Sequence, residues 1–121
     1  ALLEHATALL YTPDREHFGI VPIEAMAFGT AVVAVASGGP LETVQDGETG
    51  FLAEPKNSSS LANKIDLALN LDDNLRKKIT LSAKKNVERN FSHVRMCRDT
   101  LELYKKCLNE YRIKNEISYN D

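Results

Sequence analysis

The sequence predicts an α/β fold: three short parallel strands, helices on both faces of the sheet, and a helical C-terminal half. Three observations predict it. Through residue 54 short apolar runs alternate with helical patterns, as in a parallel sheet built from crossover connections. The run "AVVAVA" (Ala31 to Ala36) is apolar at every position and rich in valine, as a strand covered on both faces requires. In the last half, apolar residues recur at helical spacing.

The elements follow in order. "ALLEHAT" reads as the end of a helix and "ALLYT" (Ala8 to Thr12) as a buried strand, closed by Pro13 and the polar "PDRE". "GIVPIEAMAF" predicts a helix with Pro22 in its first turn, where a missing N–H is harmless, and Gly29 just past its end. After the strand "AVVAVA" come the loop "SGGP", a short helix "PLETVQ" starting at Pro40, the turn "DGETG" and a third strand "FLA", ended by Pro55. "SSSLANKIDLALN" predicts a helix with serine caps and Leu61, Ile65, Ala68 and Leu69 on one face. "DDNLRKKITLSAKKNV" predicts another, with aspartate caps and Leu75, Ile79 and Val87. From Ser92 onward, Val94, Cys97, Leu101, Tyr104, Leu108 and Tyr111 form a one-sided stripe on a long helix. Under three heptads long, it suits docking on the rest of the fold better than a coiled coil.

Composition bounds the function. At 121 residues, 43% hydrophobic and 26% charged, the chain reads as one small globular domain at most. A net charge of −2 gives no footprint for nucleic acid or an anionic membrane surface, so the expected partner is a small molecule or a protein. Pro22, Glu24, Gly29, Gly38, Gly39 and Pro40 interrupt the long uncharged segment, so no transmembrane segment is expected. Cys97 and Cys107 lie ten apart on one helix, about 15 Å of rise, beyond the roughly 7 Å Cα limit for a disulfide. Both are expected as free thiols, as in a reducing compartment. Two N-glycosylation patterns, at Asn57 and Asn90, are expected to be unmodified. The chain opens in mid-pattern at "ALLEHATALLYTP" without an initiator Met, and is read as a piece of a longer protein.

In an open parallel sheet, ligands sit outside the carboxyl ends of the strands. Two loops belong there, residues 13–19 after the first strand and 37–39 after the second. The first leads through Phe18, Gly19 and Ile20 into a helix start, whose unpaired N–H groups and positive dipole end suit a phosphate oxygen. Gly38 and Gly39 give bare backbone on the same edge, so a diphosphate could lie between the loops. From Phe18 to Leu41 the only charged residue is Glu24. One turn into the helix, it is placed either to accept hydrogen bonds from both hydroxyls of a ribose on that diphosphate, or to face water or a lysine. Glu16 precedes the helix and would reach toward the opposite, sugar end. His17 beside it invites a general-base role, but is read as a loop residue held by backbone hydrogen bonds. Asp14 and Arg15 read as solvated loop charges, and Lys84, Lys85 and Arg89 as a solvated basic helix face.

"EHFGIVPIE", followed in order by "AMAFGTAVVAVASGGPLETVQDGETGFL", resembles the second Rossmann half of the nucleotide-sugar domain in retaining GT-B glycosyltransferases of family four. The resemblance runs from about Ala1 to Glu54. It implies a Rossmann-like nucleotide-sugar-binding half over residues 1–54, with the C-terminal helices over 55–115 belonging to the same domain; the last residues, 116–121, read as a disordered tail. Within the family, "LYTP", "EHFGIVPIEAM" and "VASGGPLETV" are most similar to the mannosyltransferases that extend the dolichol-linked oligosaccharide precursor. That similarity implies GDP-mannose as donor, a lipid-linked oligosaccharide acceptor and the cytosolic face of the endoplasmic reticulum membrane. Relatives with other nucleotide sugars share the core motif.

Carried over by position, Glu24 matches the glutamate that binds the ribose and Glu16 the one that contacts the donor hexose, the candidate catalytic residue. The segment from His17 through Phe18, Gly19 and Ile20 lies beside the diphosphate and sugar, with Val21 next to the nucleoside. Retention in such enzymes is explained by front-face attack with the leaving diphosphate as base, so neither glutamate need be a nucleophile. No metal or other cofactor is expected. The family's diphosphate-neutralising Arg and Lys and its acceptor domain have no counterpart here, so the chain alone is expected to be inactive; with only half of the expected sheet it would present an apolar strand edge, and is expected to self-associate. Readings from other classes are a non-catalytic nucleotide-sugar module, a plain interaction domain showing the Tyr104 and Tyr111 face, and a dinucleotide half-domain. Against the last stands the absence of a Gly-x-Gly-x-x-Gly fingerprint.

Overall fold

The structure is a computed structural model that describes residues 2–13 and 17–118, with side chains through 113. The chain divides into two compact units, one up to Glu88 and one from Arg89 onward. In the first unit, β1 (Ala8–Tyr11), β2 (Ala31–Val35) and β3 (Phe51–Ala53) form a parallel sheet in the order β1-β2-β3. Ala8 faces Ala31 across the first pair, and Val33 faces Phe51 across the second. These are the three expected strands, with β1 and β2 one residue shorter than read. The Ala36 N–H still donates to the Ala53 carbonyl at 2.8 Å, so hydrogen bonding runs one step past β2.

The apolar run of β2 is explained by its two covered faces. Val32 and Ala34 join Ala25, Met26, Val44 and Ala83 in one buried cluster, while Val33 joins Phe51, Ala68 and Ile79 in the other. Successive side chains of a strand alternate in direction, so an all-apolar strand needs a helix layer on each side. α2 (Ile20–Phe28) supplies Ala25 and Met26 on one face, and α4 (Ser58–Leu69) supplies Ala68 on the other. Complete burial of Val32, Val33 and Met26 stabilises the sheet by about 1.5–3 kcal/mol per side chain.

α1 (Leu2–His5) precedes β1, and α3 (Pro40–Thr43) links β2 to β3. The cap of α4 is Asn57, whose side-chain oxygen accepts the Ser60 N–H at 2.9 Å, and not a serine as the sequence suggested. The helix begins at Ser58, so the residue before it takes the extended cap conformation. On the expected apolar face of α4, Ala68 is buried and Leu61 and Ile65 are half-buried, but Leu69 is exposed. α5 (Asp73–Asn90) starts as expected on an aspartate cap, with Asp72 accepting the Leu75 N–H at 2.9 Å. Its buried side is Ile79, Ala83 and Val87, while Leu75 points outward.

α5 closes the edge where the strands begin. Arg76 donates to the Thr7 carbonyl just before β1 at 3.0 Å, the Lys84 side chain lies against Gly29 before β2, and Asn86 donates to the Thr43 carbonyl at 3.4 Å. The carboxyl edge of the sheet is thereby left to the loops.

The second unit is built on α6 (His93–Ser118), where Ser92 Oγ accepts the Arg95 N–H at 3.3 Å. Val94, Leu101, Tyr104, Leu108 and Tyr111 are all more than half exposed, and Cys97 and Cys107 are exposed free thiols. α6 extends to Ser118, and residues 119–121 of the expected tail lie outside the described residues. No helix among the described residues is long and apolar enough to cross a membrane.

Candidate functional site

The start of α2 is shaped by what it lacks. Gly19, its N-cap, sits at φ 77° in the left-handed region, offers no capping side chain, and is followed by a first turn without an acid. The N–H groups of Ile20 and Val21 have no acceptor within the helix, and Pro22 has no N–H. The positive end of the helix dipole is thus uncompensated by the helix's own residues. A Cβ at Gly19 would lie 3.6 Å from Tyr11, an ordinary contact, so this glycine is required by its backbone conformation and not by space.

The second glycine loop reaches the first. Gly38 has φ 61°, and Gly39, which is buried, caps α3. A Cβ on Gly39 would fall 2.0 Å from the Phe18 carbonyl oxygen and 2.4 Å from the Phe18 Cα. The two loops therefore meet backbone to backbone on the carboxyl edge. At Phe18 and Gly39 there is no room between the loops, so the expected gap for a diphosphate is closed at that point. The Gly39 carbonyl accepts hydrogen bonds from the Glu42 N–H, the Thr43 N–H and the buried Thr43 hydroxyl at 2.9, 3.1 and 3.2 Å.

Glu24 is exposed on α2, one turn after Ile20 and on the same side. Its charge carries no burial cost, which answers how a lone acid is tolerated in so apolar a segment. Phe18, Ile20 and Val21 are 44%, 62% and 40% exposed, so an apolar rim surrounds the helix start. His17 is also exposed. Glu16, Asp14 and Arg15 lie outside the described residues. The structure thus gathers Phe18, Gly19, Ile20, Val21, Gly38 and Gly39 at one edge, with Glu24 one turn along α2. Sequence reasoning missed Thr43 and Asn86, which stand behind Gly39; the only signal was a threonine four residues after the second glycine.

A family model described as glycosyl transferases group 1 matches residues 1–86, well over half of the chain. The chain belongs to the group 1 glycosyltransferases. Among curated relatives, it is 45% identical over 94 residues to the alpha-1,3/1,6-mannosyltransferase ALG2 of Dictyostelium discoideum, which covers 75% of this chain and 21% of the relative. It is 58% identical over 55 residues to the human ALG2 mannosyltransferase, covering 46% of this chain and 13% of the relative. The chain spans only about a tenth to a fifth of the length of the curated relatives it matches, 11–21%. Among solved structures, a Rickettsia africae glycosyltransferase aligns with a TM-score of 0.74 at 39% identity, over 82% of this chain and 27% of that one. HepE of Anabaena, in complex with UDP-glucose, aligns with a TM-score of 0.78 at 31% identity, over 87% of this chain and 29% of that one. These neighbours place the open three-stranded sheet within the GT-B glycosyltransferase architecture.

Proposed function

We propose that this group 1 glycosyltransferase chain is part of the donor-binding domain of an enzyme that transfers mannose from GDP-mannose to a dolichol-linked oligosaccharide with retention. The observation that carries the reading is the acid-free, glycine-capped start of α2, joined through Phe18 to the Gly39 loop on the carboxyl edge. Backbone N–H groups and a helix dipole on that edge suit the diphosphate of a nucleotide sugar. The alpha-1,3/1,6-mannosyltransferase relatives support mannose as the transferred sugar, and the proposal places the reaction at the cytosolic face of the endoplasmic reticulum membrane.

In this reading the Ile20 and Val21 amides stabilise the charge that grows on the leaving diphosphate. Glu24 holds the ribose, Glu16 contacts the hexose, His17 and Phe18 flank the sugar end, and Val21 packs by the nucleoside. The departing diphosphate takes the proton of the incoming hydroxyl, so the step needs neither a protein nucleophile nor a metal. The remainder of the full-length protein supplies the basic groups for the diphosphate and the acceptor site, and this chain alone is inactive.

UDP-glucose is the alternative donor, favoured by the similarity to HepE, whose structure was solved with it. Calorimetric titration of the full-length protein with GDP-mannose and with UDP-glucose separates the two. The proposal expects GDP-mannose to bind at least about tenfold more tightly, about 1.4 kcal/mol. Tighter binding of UDP-glucose would replace the donor, and binding of neither would end the reading.

A further inference from the structure

We propose that Gly39 is a positioning residue for the donor site: through its contact with Phe18 it fixes where the backbone amides at the start of α2 stand. The inference rests on the donor-binding reading above.

Gly39 has φ −52° and ψ −39°, a conformation open to any residue, so backbone freedom does not explain the glycine. Space does. The atoms that a Cβ would meet at 2.0, 2.1 and 2.4 Å are the O, C and Cα of Phe18, all backbone atoms that no rotamer change can move aside. To restore an ordinary 3.4 Å contact, one of the two loops would have to retreat by more than 1 Å.

Which loop yields follows from how each is held. Gly39 is buried, its carbonyl accepts three hydrogen bonds, and Pro40 follows it with its ring-restricted φ. Thr43, which makes two of those bonds, is fully buried, and its own carbonyl accepts Asn86 of α5. Phe18 stands on the solvent side of the contact, 44% exposed, and leads into Gly19 at the N-cap of α2. A methyl at Gly39 therefore pushes the Phe18–Gly19 peptide and leaves α3 in place. The Ile20 and Val21 amides shift with it. Displacements near 1 Å can cost about a hundredfold in a reaction that depends on alignment.

The test uses the full-length protein with Gly39→Ala, Thr43→Val and a control, Gly47→Ala. At Gly47 the φ of 76° makes alanine strained, but a Cβ there meets nothing within 4 Å, so the control reports general destabilisation. Donor KM, acceptor KM, thermal midpoint and hydrogen exchange over residues 17–25 are measured; in that segment the Ile23 and Glu24 amides are the first that the helix itself protects, through the Gly19 and Ile20 carbonyls. Gly39→Ala should raise donor KM about tenfold or more, leave acceptor KM unchanged and speed exchange over 17–25. Gly47→Ala should lower the midpoint and leave donor KM at the wild-type value. If Gly39→Ala fails to fold, Thr43→Val, which removes one of the three bonds to the Gly39 carbonyl, should raise donor KM about threefold, with Thr43→Ser restoring it. Wild-type donor KM in folded Gly39→Ala, or in Thr43→Val where that variant stands in, overturns the inference and leaves the donor reading intact. If the wild-type protein binds no nucleotide sugar, the donor reading falls. Exchange over 17–25 then decides the contact by itself: acceleration in Gly39→Ala supports it, and unaltered exchange overturns it.

Discussion

Glu24 is exposed on a helix that otherwise shows apolar residues at its open end, Phe18, Ile20 and Val21. An exposed carboxylate beside a helix start is free to accept hydrogen bonds from a vicinal diol, and each such charge-assisted bond contributes about 1.5–3 kcal/mol. Glu24→Ala in the full-length protein should therefore weaken GDP-mannose binding by about tenfold or more, with the thermal midpoint unchanged because nothing buried is lost. Wild-type affinity in that variant, read by calorimetry, would remove Glu24 from the site. The proposed reading assigns Glu16 to the donor hexose. Glu16→Gln should slow transfer while GDP binds as in wild type, because the lost interaction is absent from the nucleotide alone. Equal losses for GDP and GDP-mannose would show that Glu16 acts on the nucleoside instead.

At the scale of elements, the turn before β3 carries the clearest titrating contact in the first unit. Asp46 accepts two bonds from Lys64 Nζ at 2.9 and 2.8 Å, and one from the Leu52 N–H at 2.8 Å. Partial burial alone would raise its pKa, but the Lys64 hydrogen bond, the Leu52 amide and the Lys64 charge together hold it below the ordinary carboxylate value. A carboxylate with a depressed folded pKa contributes stability that is present above its unfolded pKa and lost as pH falls through the folded one. The chain should thus lose stability on acidification through and below the usual aspartate range, and Asp46→Asn should flatten part of that slope in denaturant melts. An identical slope in the variant would show that the ion pair is too solvated to matter. The strands and α2 were legible in the sequence because apolar period, Pro22 and Gly29 all report local geometry. Asn57 was not distinguished from the serines beside it, since either residue type caps a helix and one residue of register decides. The Phe18–Gly39 contact joins positions 21 apart through packing, and no local pattern encodes it. Glu24 stood out in the sequence because the run around it has no other charge, and its outward direction follows from the burial of Ala25 and Met26 on the other side of α2.

For the whole molecule, the sheet is an open one: among the described residues β1 pairs only with β2, and β3 only with β2. Parallel edges with apolar side chains, such as half-exposed Leu10 on β1, tend to recruit a partner. The isolated chain should therefore sediment as dimers or larger species by edge pairing or exchange of α6, and a concentration-independent monomer would contradict this. Its affinity for a nucleoside diphosphate should be millimolar or poorer, about 4 kcal/mol or less, because in the proposed reading the basic groups that neutralise the diphosphate belong to the rest of the protein. The proposed reading assigns the acceptor site to the rest of the protein. The most direct measurement follows labelled mannose from GDP-mannose into a dolichol-linked oligosaccharide, with the full-length protein and the isolated chain in parallel. The full-length protein should form an α-linked product and the isolated chain none; turnover by the isolated chain, or full-length protein that transfers no mannose from GDP-mannose, would contradict the account.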